Sequence, residues 1–252
     1  MSVSDELVAA AGFIVSDATL TGYRSSAREV VIPADLGITA IGEAFCDNMN
    51  IRLVVIPEGV TSIGEGAFMG CRSLAGITIP VSVTTIGSYA FFECGDLKSV
   101  IIPEGVASIE AGLFGGCNSL TSVSIPASVT SIEHSAFMGC FNLTSITIPA
   151  GVTSVGGDAF FECSGLKNIA IPAGVTSIEG RTFGNCDSLT SVSIPDSVVS
   201  IGKNAFLNCG SLTSITLPGS VTSIGIGAFL GCRALPAEFC AELARRFNYN
   251  MF

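Results

Sequence analysis

Apolar and polar positions alternate through this chain in one order that returns every 23 residues. The stretch from Leu120 to Cys140 is representative. Leu120, Val123 and Ile125 are separated by Thr121, Ser122 and Ser124, the spacing of a short strand with one buried face. Pro126 follows and cannot donate to a ladder, so it ends the strand. Val129 and Ile132 then give a second inward pair on an opposite wall, and Ala136, Phe137 and Cys140 fill the interior before Leu143 begins the next turn. Prolines run from Pro57 to Pro218, phenylalanines from Phe68 to Phe229 and cysteines from Cys71 to Cys232, each at steps of 23. A 69-residue echo lies on top, with Ala67-Phe-Met-Gly-Cys71 returning as Ala136-Phe-Met-Gly-Cys140, which marks growth by duplication of a three-coil block.

A fixed period of this length predicts a solenoid, in which no coil buries its apolar face without its neighbours. Equivalent Phe, Cys and Leu residues then stack in dry columns about 4.8 Å per coil. The ends must be sealed. Phe13-Ile14-Val15 and Thr19-Leu20-Thr21 around Ser16-Asp17-Ala18 predict a hairpin, preceded by a helix start at Ser4 with Asp5 and Glu6 in its first turn. Val30-Val31-Ile32-Pro33 opens an imperfect first coil. Pro236 with Phe239, Cys240, Leu243 and Phe247 predicts a capping helix, with Arg245 and Arg246 toward its negative end. The expected organisation is an N-terminal cap over residues 1–33, a solenoid over 34–235 and a helical cap over 236–252, together one continuous unit.

The order Leu-x-x-Val/Ile-x-Ile-Pro, Val-x-x-Ile, Ala-Phe-x-x-Cys resembles the repeats of the BspA-like (Treponema-type) leucine-rich-repeat family. That resemblance implies a mainly β, right-handed leucine-rich-repeat solenoid of 23-residue coils with a parallel sheet on its concave face. It also implies a protein-interaction or adhesion module, since members are commonly surface proteins of host-associated microbes and protists. A cell-surface or secreted home follows from the same resemblance, while Met1 to Gly12 reads as no signal peptide. Outer segments rich in Val, Thr, Ser and Gly predict extended or turn structure there and a gently curved rod.

Composition narrows the chemistry. Eleven Lys and Arg against 21 Asp and Glu give a net charge of −10, which argues against a nucleic-acid partner. No apolar run reaches the ~18–20 residues of a spanning helix, so membrane insertion is not expected. Ten cysteines include no CxxC pair. One thiol per coil, always three residues after the Phe, reads as a reduced structural ladder rather than a metal or disulfide set, with Cys46 and Cys240 outside it. The one histidine, His134, has no nucleophile at a catalytic spacing and reads as a solvated side chain. Glu65, Glu110, Glu133 and Glu179 line one edge and read as a solvating acidic rim.

No catalytic, cofactor or metal residues are therefore expected. The expected partner is another protein, docking on the outward sheet positions Leu53, Val55, Thr78, Ile101, Ser124 and Thr147. The alternatives are a structural spacer or a glycan-binding solenoid. The latter would need aromatic platforms in a chain with no Trp and three Tyr.

Overall fold

A computed structural model describes residues 12–247. The helix start expected at Ser4 lies outside them. Strands β1 (Phe13–Ser16) and β2 (Thr19–Tyr23) form the expected antiparallel hairpin. From β2 onward every pairing is parallel and joins residues one coil apart. Leu20 lies opposite Ile41, so the second hairpin strand is itself the first member of a wall.

Two walls follow. The first is built from the Leu-x-x-Val-x-Ile segments, beginning with Glu29–Val31, Leu53–Val55 and Gly76–Thr78. It continues through Ser99–Ile101 and Ser122–Ser124, and resumes with Asn168–Ala170, Ser191–Ser193 and Ser214–Ile215. The second wall is made of two-residue strands such as Ser62–Ile63, Ser131–Ile132 and Ser200–Ile201, centred on the second inward Ile. Ladder register is fixed by the inward residue: Val54 faces Ile77, Val100 faces Val123, and Ile169 faces Val192. A one-residue slip would turn each of these apolar residues out to solvent, which is why the register holds.

The first wall is divided into sheets rather than continuous. The coil carrying Ile146 and Thr147 has no assigned strand there, and Val123 and Ile146 are only half-buried beside it. A single backbone bond, from Lys167 N–H to Thr144 O at 3.2 Å, ties that coil to the next on this wall.

The core is the set of columns the repeat demands. Rings from Phe45 to Phe229 stack face to face with centroids 5.0–5.7 Å apart and planes within 18°. Offset stacking of this kind adds to the burial of each ring. The caps extend the same column, through Tyr23 and Phe13 at one end and edge-on through Phe239 at the other. From Phe68 to Phe229, each Phe corner is turned by left-handed backbone at the residues two before and two after the ring, while at Phe45 only Asp47 is left-handed. Gly112 and Gly116 sit there in one coil, but Tyr89 and Glu93 in another, with φ of 59° and 57°. Glycine adopts this conformation without strain, whereas a side chain costs roughly 1–2 kcal/mol.

The capping helix α1 (Ala237–Phe247) buries Phe239 and Leu243 on the last coil. Arg246 does more than complement the helix dipole. Its guanidinium donates to Leu217 O, Pro218 O and Val221 O at 3.0–3.4 Å, and pairs with Glu242 at 2.8 Å. In earlier coils the carbonyl equivalent to Val221 O accepts the next coil's serine hydroxyl, as Val198 O does from Ser220, so at Val221 the arginine takes the place of the missing neighbour.

Candidate functional site

The six expected docking residues all emerge exposed on the outer face of the first wall. Val55 lies directly opposite Thr78, and Ile101 opposite Ser124, because parallel register repeats the same side of the strand in every coil. Thr147 continues the row in the coil that lacks an assigned strand. The row also reaches one coil further back, to Val31, paired with Val55. Its position before Pro33 in the imperfect coil was the available signal. Val31 is 67% exposed, Ile101 75%, Leu53 44% and Val55 39%, so four aliphatic side chains stand in water at one end of the face.

Charges flank this patch in opposite senses. Where the chain enters the wall, Arg28, Arg52 and Lys98 share one column beside the patch, and the backbone bond from Arg52 N–H to Arg28 O fixes two of them side by side. Just past the strand ends, Glu58 and Glu104 share the position after the proline. Further along, the face is recessed. Shallow hollows of about 530 and 520 Å³ are lined by Ser99–Ile101 with Ser122–Ile125, and by Asn168–Ala170 with Ser191–Ile194.

The cysteine column is dry and reduced. Cys71 to Cys232 are buried, none is disulfide-bonded, and burial pushes the Cys117 and Cys163 thiols up to about 12. The spacing did not reveal their hydrogen bonds. Each thiol donates to the carbonyl of the Phe 26 residues earlier, at 2.9–3.2 Å. Phe68 O, for example, accepts both the Cys71 N–H and the Cys94 Sγ. In the first coil Asn48 replaces the thiol and caps Asn50 and Ile51 N–H instead.

The acidic rim does not gather into a carboxylate pair. Glu110 and Glu179 accept from Ser108 and Ser177 of their own strands. Among the described residues no three His, Cys, Asp or Glu side chains are grouped as a metal site. His134, in contrast, is not merely solvated. Its Nδ1 lies 3.8 Å from Asp158 Oδ2, and Asp158 is gripped by the Arg181 fork, Nε to Oδ1 at 2.9 Å and Nη2 to Oδ2 at 3.0 Å. Asp158 and Arg181 are 23 residues apart, so the repeat register held the signal.

A ladder of identical coils, a stacked aromatic spine and an exposed strand face define a leucine-rich-repeat solenoid. The family model for the BspA type leucine rich repeat region matches residues 39–167 and 130–252, in six copies. The chain belongs to that family. A leucine rich cell surface protein of Faecalibacterium prausnitzii is 33% identical, with 88% of this chain and 79% of that one covered and a TM-score of 0.56. A leucine-rich repeat protein of Bacteroides ovatus is 26% identical over 89% and 72% of the two chains, also at a TM-score of 0.56. The T. pallidum leucine rich repeat protein shares the fold at 24% identity, over 94% and 93%, with a TM-score of 0.53. No curated protein matches.

Proposed function

We propose that this chain is a non-enzymatic protein-interaction module of the adhesive kind, and that its partner docks on the first-wall face. The observation that carries the reading is the patch of Val31, Leu53, Val55 and Ile101 between a basic and an acidic edge. Grouped exposed aliphatics lose hydration favourably when covered, and flanking charges of opposite sign set the partner's orientation. Extended solenoid faces serve such contacts because every coil adds to one surface. The Faecalibacterium relative is described as a cell surface protein, which suits an adhesive role.

A displayed peptide library selected on the wild type and re-tested on Leu53→Glu/Ile101→Glu checks this. Enriched sequences should carry apolar residues beside charges and lose at least tenfold in affinity on the variant, about 1.4 kcal/mol. Both positions are exposed, so the melting temperature should hold. Equal binding to the two proteins would remove the face from consideration and leave the spacer reading.

A further inference from the structure

We propose that a slot on the opposite side of the solenoid, between His134 and Lys203, binds a small ligand through an oxyanion, a phosphate, sulfate or carboxylate group. The slot has a volume of about 420 Å³ and is lined by His134, Gly157, Asp158, Gly180, Arg181, Lys203 and Asn204. It exists because of two substitutions in one column. The residue two after the inward Ile is Glu65, Ser88, Ala111 and His134 in successive coils, then Gly157 and Gly180, then Lys203. Two coils in a row have no side chain there. The floor is bare backbone between an imidazole and an ammonium group. Those two ends are three coils apart, about 14 Å at strand spacing, enough for an anionic group and a small organic body.

The side chains at the slot are mostly donors, while the Gly180 and Lys203 carbonyls lie 3.1 and 3.4 Å from where side chains at Gly157 and Gly180 would begin. The Gly157 and Gly180 N–H groups donate to no described residue. Arg181 spends Nε and one Nη2 hydrogen on Asp158 and keeps the rest of its fork. Lys203 and the Asn204 amide complete the set. The one carboxylate lining the slot, Asp158, is already consumed by that arginine. Glu179, which precedes Gly180, is turned back to Ser177 Oγ at 2.5 Å.

The Asp158–Arg181 pair is poorly explained by stability. Asp158 has a side chain only 8% exposed, and burying a carboxylate costs more than an ion pair with a half-exposed arginine ordinarily returns. Its clear effect is orientation. The carboxylate holds the guanidinium from one side, and the Phe161 ring, 5.6 Å from Arg181 Cζ, holds it from the other. A fixed guanidinium fork with an ammonium group and a side-chain amide on the same slot is a geometry that captures an oxyanion. A chain of net charge −10 with only eleven Lys and Arg places two of them, and its one histidine, at this slot.

Titration calorimetry and amide NMR on the full chain, with inorganic phosphate, inorganic sulfate, glucuronate and glucose phosphate as separate probes, test the site. At least one should bind saturably and shift the Gly157 and Gly180 amides. Arg181→Gln and Lys203→Gln should each weaken that binding at least tenfold, while Arg233→Gln, exposed in the last coil, should leave it unchanged. Inorganic ions binding as well as the sugar derivatives would support a free anion as ligand, and tighter sugar derivatives would support a substituted sugar. No saturable binding by any probe at millimolar concentration, or binding undiminished in Arg181→Gln of unchanged melting temperature, would overturn the proposal.

Discussion

Truncating one ring in the middle of the aromatic spine tests the physical basis of the fold. Phe137 is fully buried, with Phe114 at 5.5 Å and Phe160 at 5.3 Å on its two faces. Phe137→Ala removes the ring from a column that cannot collapse, because backbone ladders hold the coils on both sides at fixed spacing. The expected loss is about 3–5 kcal/mol. Phe137→Leu keeps most of the burial and loses two ring contacts at roughly 0.5–1.5 kcal/mol each, so about 1–3 kcal/mol is expected. Phe141→Ala, four residues on and exposed, should stay within about 0.5 kcal/mol. Urea unfolding followed by circular dichroism and by a second probe near each end reads these values, since a repeat array can unfold in segments. The reasoning fails if Phe137→Ala costs less than about 1 kcal/mol or no more than Phe141→Ala.

Other outcomes follow from the same geometry. With native thiols near 12, Cys117 and Cys163 should alkylate about a thousandfold more slowly than an ordinary thiol, with Cys46 and Cys240 labelled first; equal labelling in the folded protein would contradict the dry column. Because those pKa values are raised on folding, the stability they carry is present below about 9 and lost as pH rises toward 12, by about 1.4 kcal/mol per thiol per pH unit. Cys117→Ser should flatten the urea midpoint between pH 8 and 10 by one thiol's share. Arg246→Gln should unseat α1 at a cost of about 1–3 kcal/mol and open hydrogen exchange at Val221 and its neighbours first. Glu162→Gly, at a left-handed corner with φ of 62°, should be neutral to stabilising by about 1 kcal/mol by denaturation midpoint.

The period alone determined most of the architecture. A residue's place in the 23-residue repeat decides whether it points into the column, so Phe137, Cys140 and Leu143 could be placed without coordinates, as could the two caps and the outward row from Leu53 to Thr147. What the repeat does not encode is how departures from it meet across coils. Asp158, Arg181 and the glycines at 157 and 180 look unremarkable within their own coils, and become a slot only when stacking sets them side by side. The thiol bonds to Phe carbonyls, the grip of Arg246 on the last coil and the interrupted sheet near Thr147 belong to the same class. Apolar periodicity is a property of one coil and is written along the chain. Hydrogen-bond direction and charge pairing are properties of neighbouring coils, and only the packed structure decides them.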